Sequence, residues 1–144
     1  MRSLMLATIV AVSATVVCAD GQTPGAFFIE TWDLDGDGAV SLAEITTRRG
    51  DVFMAFDADE NGRLDAQEYV YFDEARANDM QRSGEHGPQN AMRHASEGMT
   101  RAFNDTDGDG EVSREEFLAH GPDWFAILDR NGDGGVTSAD FGRQ

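Results

Sequence analysis

The sequence predicts an all-α protein built from four helix–loop–helix units that form two pairs, with short β-strands joining the loops of a pair. Three observations support this fold class. A twelve-residue acidic pattern occurs four times, apolar residues at helical spacing flank the copies, and the copies fall into two groups with equal internal spacing. A chain of 144 residues, 40% of them hydrophobic, is long enough to bury a modest core.

Composition narrows the class of function. The 27 acidic residues outnumber the 11 basic residues, all of which are arginine, and the formal net charge is −16. This balance argues against binding to nucleic acid or to anionic lipid, because both need a basic surface. The lone cysteine, Cys18, excludes an intramolecular disulfide and a multi-cysteine zinc site.

The first 19 residues predict a secretory signal peptide. Arg2 precedes an apolar run over residues 4–17, which is short for a membrane span, and Val17 and Ala19 stand just before the expected cleavage site. An uncleaved membrane anchor is one alternative. A lipoprotein acylated at Cys18 is a weaker one, because the bulky Val17 stands where a small residue is expected. We therefore expect a secreted or periplasmic protein with no stable membrane span after cleavage.

The four copies of the acidic pattern share one order of residue types. Oxygen-bearing side chains stand at positions 1, 3 and 5, glycine at position 6, an aliphatic residue at position 8, Ser, Thr or Asp at position 9 and an acid at position 12. This order resembles the loop of the EF-hand superfamily, the helix–loop–helix calcium-binding family that includes calmodulin. The copies are residues 33–44, 57–68, 105–116 and 129–140, named loops 1 to 4 below.

The resemblance implies up to four Ca²⁺ ions as cofactors. Calcium takes six to eight oxygen ligands at about 2.3–2.6 Å, so a loop that surrounds the ion presents side chains at alternate positions. Glycine at position 6 allows a sharp turn, position 7 gives its main-chain carbonyl, and position 12 can give both carboxylate oxygens. The implied ligands are Asp33, Asp35, Asp37, Ala39, Ser41 and Glu44 in loop 1, Asp57, Asp59, Asn61, Arg63, Asp65 and Glu68 in loop 2, Asp105, Asp107, Asp109, Glu111, Ser113 and Glu116 in loop 3, and Asp129, Asn131, Asp133, Gly135, Thr137 and Asp140 in loop 4.

Loop 4 departs from the pattern at two positions. Asp140 is one methylene shorter than the glutamate at position 12 of the other loops, and Asn131 removes a charge at position 3. Fewer oxygens and one less charge weaken calcium binding or shift the site toward six-coordinate magnesium. We expect loop 4 to be the weakest calcium site, or a site that tolerates Mg²⁺.

The spacing of the loops predicts a duplicated two-hand unit. Loops 1 and 2 begin 24 residues apart, as do loops 3 and 4, which gives a first pair over residues 20–82, a hinge over 83–89 and a second pair over 90–144. One straight helix through the 12 residues between the loops of a pair would hold them about 18 Å apart, too far for their strands to pair. Gly50 in the first pair, and Gly121 with Pro122 in the second, therefore predict helices that fold back and bring the two loops together.

An enzyme is not expected. Neither a GxSxG nor an HExxH motif occurs, and the one cysteine lies in the predicted signal peptide. The three histidines, His86, His94 and His120, have no metal-binding spacing and are interpreted as surface residues.

Two roles remain open from the sequence. In the first, the protein is a calcium buffer or a calcium-stabilised module. In the second, it is a calcium sensor that exposes an apolar groove, containing methionines, to a partner protein.

Overall fold

The computed structural model describes the backbone of residues 23–84 and 89–142 and the side chains of 23–81 and 93–142. The predicted signal peptide and most of the predicted hinge lie outside these residues. The described chain is mostly helical with one small antiparallel sheet, which confirms the fold class. The helices are Ala26–Trp32 (α1), Leu42–Phe56 (α2), Ala66–Gly84 (α3), Gln89–Glu97 (α4), Arg101–Asn104 (α5), Arg114–Ala119 (α6) and Gly121–Leu128 (α7), and the strands are Arg63–Leu64 (β1) and Val112–Ser113 (β2).

The four loops pair across the two halves of the chain. Strand β1 of loop 2 pairs with β2 of loop 3, with Leu64 opposite Val112. Val40 of loop 1 forms an isolated antiparallel bridge with Val136 of loop 4. All four of these aliphatic side chains, at position 8 of their loops, are fully buried. The sequence correctly indicated that loops pair through position 8, but the expected partners, loop 1 with 2 and loop 3 with 4, were wrong.

The helices that connect the loops explain the exchange of partners. Helix α2 runs from Leu42 to Phe56 as one helix through Gly50, so the predicted break there does not occur. The second connection is interrupted only at His120, whose N–H donates to the Glu116 carbonyl and whose own carbonyl accepts from the Trp124 N–H. This is a kink rather than a reversal. Each connection therefore keeps its two loops apart, and each loop pairs with one from the other half instead.

The two halves share one hydrophobic core. The ring centroids of Trp32 in α1 and Trp124 in α7 lie 4.9 Å apart. The ring centroids of Phe53 and Phe117 lie 5.7 Å apart and join α2 to α6. The buried apolar residues of this core are Phe28, Val40, Ile45, Phe53, Leu64, Tyr69, Phe72, Met99, Val112, Phe117, Trp124, Leu128, Val136 and Phe141.

None of the described helices is both long enough and apolar enough to cross a membrane.

Candidate metal centre

The aspartate at position 1 organises each loop by accepting backbone N–H groups on both carboxylate oxygens. In loop 1, Asp33 Oδ1 accepts from Gly36 at 2.6 Å and Oδ2 accepts from Gly38 at 2.9 Å. Asp105 and Asp129 receive equivalent pairs of bonds in loops 3 and 4, whereas Asp57 in loop 2 accepts from positions 5 and 6, the N–H groups of Asn61 and Gly62. The chain therefore winds around the position-1 carboxylate.

Tight winding requires a left-handed backbone at positions 4 and 6. Position 6 is glycine in every loop, with φ between 80° and 92°. Position 4 is also a left-handed glycine in loops 1, 3 and 4, but in loop 2 it is Glu60, with φ 56°. This conformation is unfavourable for a residue that carries a β-carbon. Glu60 is the one described non-glycine residue with positive φ.

The acid at position 12 closes the loop from its other end. Glu44 Oε1 accepts from the Leu34 N–H at 2.7 Å, while Oε2 accepts from both the N–H and the hydroxyl of Ser41 at 2.8 Å. These bonds, above all the one from the Ser41 N–H, lower the pKa of Glu44 from 4.5 to about 2. Glu116 makes the equivalent bonds with Ser113, and its pKa is also lowered. Both carboxylates are therefore held ionised, which metal binding requires.

The position-12 helices begin with a capping box that belongs to the same arrangement. Ser41 caps α2 by accepting from the Glu44 N–H while Glu44 bonds back to Ser41, and Ser113 does the same with Glu116 in α6. In loop 2 the capping residue is Asp65, whose Oδ1 accepts from the N–H groups of Gln67 and Glu68. Position 9 thus fixes the start of the helix that carries the position-12 acid.

Three loops gather carboxylates closely enough to share one cation. In each, ligand atoms from positions 1, 3 and 12 lie within 4.8 Å of one another. The groups are Asp33, Asp35 and Glu44; Asp57, Asp59 and Glu68; and Asp105, Asp107 and Glu116. Carboxylate and carbonyl oxygens are the hard donors that calcium takes, and a flexible loop suits its variable coordination. The donor set therefore fits Ca²⁺.

Loop 4 reaches a similar arrangement with different residues. Asp140 Oδ1 accepts from the Arg130 N–H at 2.9 Å, and Oδ2 accepts from the Thr137 N–H at 2.8 Å, as a position-12 glutamate does elsewhere. The shorter side chain can do this because residues 138–141 form turns instead of a helix, and the Asp140 N–H donates to the Thr137 carbonyl. Asn131 at position 3 leaves this loop with one acid fewer.

One contact between paired loops was not anticipated from the sequence. Arg63, at position 7 of loop 2, places its Nη1 atom 3.1 Å from Asp109 Oδ2 and 3.2 Å from Glu111 Oε2 in loop 3. These contacts raise the pKa of the Arg63 guanidinium, with the hydrogen bond to Glu111 as the largest cause. Asp109 is an expected calcium ligand, so a cation from the neighbouring loop already touches it. Only the pairing of loop 2 with loop 3 explains this proximity.

The EF hand family model matches three segments of the chain, residues 50–70, 105–119 and 123–143. These segments contain loops 2, 3 and 4. Loop 1 lies outside the matched segments, although its aspartate and glutamate make the same hydrogen bonds as those of loop 3. No curated protein and no solved structure gives a significant match to the chain. The three matches and the acidic clusters support the EF-hand superfamily, a family of generally non-enzymatic proteins, and suggest calcium binding.

Proposed function

We propose that the protein is exported and binds four Ca²⁺ ions, one in each loop, as a calcium-stabilised module or buffer. The observation that carries this proposal is the repeated hydrogen-bonding of the carboxylates at positions 1 and 12. In all four loops the position-1 carboxylate accepts from the N–H of position 6, and the position-12 carboxylate accepts from the N–H of position 9. The backbone of each loop therefore orients the carboxylates at positions 1 and 12.

Charge explains why calcium stabilises such a protein. Fifteen of the 27 acidic residues occupy ligand positions, so most of the net charge of −16 is concentrated in four small volumes. Repulsion among these carboxylates opposes folding without metal. An ion that binds only the folded chain, at 100 times its dissociation constant, adds about 2.7 kcal/mol of stability for each independent site.

We propose that loop 4 has the lowest calcium affinity and tolerates Mg²⁺ best. Asn131 lowers the charge of the site, and fewer charged ligands weaken calcium binding. The turn that carries Asp140 partly offsets its shorter side chain, since both carboxylate oxygens face the loop backbone.

The experiment that tests four-site binding is calcium titration by calorimetry on residues 20–144, repeated with one position-12 acid neutralised at a time. The variants are Glu44→Gln, Glu68→Gln, Glu116→Gln and Asp140→Asn. Glu115→Gln is the matched control, because Glu115 is an exposed neighbour of Glu116 and not an expected ligand. Each ligand variant should lose about one ion, and the control should lose none. Binding that is indifferent to all four substitutions would refute the proposal.

The proposed export has its own test. Expression of the full chain in a host with a secretory pathway should yield a product that begins at Asp20, as read by amino-terminal sequencing or intact mass. A retained product of full length would contradict it.

An apolar groove supports the sensor as a second candidate function. Helices α1 to α4 surround a cavity of about 170 Å³, and Met80 and Met99 line it together with Phe27, Trp32 and Phe56. Flexible, polarisable methionines suit a surface that must accept a partner helix. Calcium-induced fluorescence of an apolar dye would favour the sensor, whereas compaction without dye binding would favour the buffer or stabilised module.

A further inference from the structure

Arg49 is buried inside the protein, and no carboxylate of the described residues pairs with it. It stands in α2, five residues after Glu44, and is fully buried, with 0% of its surface exposed. Burial lowers the pKa of its guanidinium to about 10. A buried charge is costly unless its hydrogen-bonding groups are satisfied, so the partners of Arg49 indicate why the chain keeps it.

Two partners of Arg49, Asn104 and Phe117, belong to the helices that flank loop 3, and a third, Gly98, precedes the entering helix. Arg49 Nε donates to the Phe117 carbonyl in α6 at 2.9 Å, and Nη2 donates to the same carbonyl. Nη2 also donates to Asn104 Oδ1 at the end of α5, and Nη1 donates to the Gly98 carbonyl at 3.0 Å. The guanidinium carbon lies 4.2 Å from the centre of the Phe117 ring. One planar group therefore ties the helix that enters loop 3 to the helix that leaves it.

Two of these partners are direct neighbours of expected calcium ligands. Asn104 precedes Asp105, the position-1 ligand, and Phe117 follows Glu116, the position-12 ligand. Asn104 is itself fixed on the other side, because its Nδ2 donates to the carbonyls of Gly98 and Thr100. A side chain of the other half therefore bonds the residues next to the first and last ligands of loop 3.

In the duplicated sequence, the residues that correspond to Arg49 and Asn104 around loop 1 are of other types. At the 72-residue offset of the repeat, Arg49 corresponds to Gly121 and Asn104 to Trp32. A β-carbon on Gly121 would lie 3.6 Å from the Arg49 Cδ atom, so the glycine occupies the space beside the arginine stem. Trp32 packs instead on Phe28 and Trp124, at centroid distances of 5.5 and 4.9 Å. Trp32 therefore packs α1 on α7, whereas Arg49 joins the two helices of loop 3 by hydrogen bonds.

We propose that Arg49 is a positioning residue for the calcium site of loop 3, holding α5 and α6 at the separation that brings Asp105 and Glu116 to one ion. This inference rests on the proposed calcium binding. It assigns to a residue outside every loop a specific effect on one of the four sites. A guanidinium is suited to this task because its rigid fork donates to several acceptors at once, which an ammonium group cannot match.

The test follows each site separately by NMR during calcium titration. The reporters are the amides of the position-6 glycines, Gly38, Gly62, Gly110 and Gly134, each of which donates to the position-1 aspartate of its own loop. Arg49→Met, which keeps much of the apolar stem, should raise the calcium midpoint of Gly110 by about tenfold, the effect of losing a hydrogen bond to a charged group. The midpoints of Gly38 and Gly134 should change by less than about twofold by comparison.

Two further variants separate positioning from general stability. Arg48→Met is the matched control, because Arg48 is the adjacent arginine, is partly exposed and forms its ion pair within the described residues with Asp51, at 4.0 Å. It should leave all four midpoints in place. Arg49→Lys keeps the charge and, if Arg49→Met fails to fold, decides the test alone. It should still weaken loop 3 selectively.

Three outcomes would overturn the inference. They are an unchanged Gly110 midpoint in a folded Arg49 variant, an equal shift of all four midpoints, and full recovery of the Gly110 midpoint with lysine. The proposed function fails separately, if the four glycine amides of the unaltered protein do not respond to calcium at all.

Discussion

Val40 and Val136 exchange two backbone hydrogen bonds, the Val40 N–H donating to the Val136 carbonyl at 2.8 Å and the Val136 N–H to the Val40 carbonyl at 2.9 Å. This bridge unites loop 1 with loop 4, near opposite ends of the described chain. Since strand β1 unites loop 2 with loop 3, the units expected to act together are loops 1 and 4, and loops 2 and 3.

Neutralising Glu44 should therefore affect loop 4 more than loop 2. In Glu44→Gln, we expect the calcium midpoint reported by Gly134 to rise several-fold, because the bridge transmits the loss of order in loop 1 to its pairing partner. Coupling energies between sites are typically 1–3 kcal/mol, or about 5- to 150-fold. Site-resolved NMR titration measures the calcium midpoint of each loop. The comparison variant is Glu68→Gln, which should raise the midpoint reported by Gly110.

The crossed pairing would be contradicted if Glu44→Gln shifted the midpoint of Gly62 more than that of Gly134.

Replacing Glu60, whose backbone is left-handed, with glycine should stabilise the protein. Glycine adopts a positive φ without a steric cost, so we expect Glu60→Gly to raise the free energy of unfolding by about 0.5–1 kcal/mol. Urea unfolding at one fixed calcium concentration is the measurement. Glu60→Ala controls for the lost charge and should give no such gain.

The reverse change, from glycine to a residue with a β-carbon, can be made at position 4 of loop 1, which is Gly36. A β-carbon on Gly36 would meet no atom within 4 Å, so Gly36→Ala tests the backbone conformation alone. It should cost about 1–2 kcal/mol. A neutral result for both Glu60→Gly and Gly36→Ala would show that position 4 tolerates side chains.

Removing the arginine between loops 2 and 3 should tighten calcium binding in loop 3. Arg63 makes ion pairs with Asp109 and Glu111, and a calcium ion at Asp109 has to share that carboxylate with the guanidinium. Exposed ion pairs contribute about 0.2–1 kcal/mol, so Arg63→Gln should lower the Gly110 midpoint by up to about fivefold, and less at high salt. Arg48→Gln removes the same charge from an arginine that pairs with Asp51 and not with a carboxylate of loop 3. If that variant lowered the Gly110 midpoint equally, the gain in calcium affinity would be due to net charge and not to the contacts of Arg63.

The lowered pKa of Glu44 predicts an acid-dependent loss of stability in the metal-free protein. A group with a folded-state pKa of about 2, against 4.5 when unfolded, adds stability that is complete above pH 4.5 and disappears as the pH falls toward 2. The informative quantity is the difference in unfolding free energy between the unaltered protein and Glu44→Gln. That difference should shrink steadily from pH 5 to pH 2.5. A constant or growing difference would contradict the role given to the Ser41 and Leu34 hydrogen bonds.

The structure of each loop could be predicted from the sequence because the residues that determine it lie within the same twelve positions. The position of Asp33, the turn at Gly38 and the return of Glu44 are encoded within twelve residues, and Val40 correctly indicated pairing through position 8. The pattern is local, so it can be recognised without knowledge of the rest of the chain.

The choice of pairing partner could not be predicted in the same way. Gly50 costs a helix interior about 1 kcal/mol relative to alanine, which suggested a break. Burial of Ile45 and Phe53 on the same helix outweighs that cost, and α2 stays continuous. Once it is continuous, its length keeps loops 1 and 2 from pairing.

The hydrogen bonds of Arg49 to the helices of loop 3 could not be predicted from the sequence either. In the segment TTRRGD an arginine is expected at the surface, and its partners lie at Gly98, Asn104 and Phe117, far along the chain. One signal of these contacts is present in the sequence, since the polar Asn104 interrupts the apolar pattern before loop 3. That irregularity is the acceptor for the buried guanidinium.

The crossed pairing also sets the order in which the protein can assemble during synthesis. The arrangement is nested, with the contact between loops 2 and 3 inside the contact between loops 1 and 4. Val40 leaves the ribosome before its partner Val136, which follows 96 residues later. The inner contact, between Leu64 and Val112, closes over 48 residues and can form first, while the more non-local outer contact has to wait for loop 4. A growing chain therefore carries an unpaired first loop until loop 4 has been synthesised.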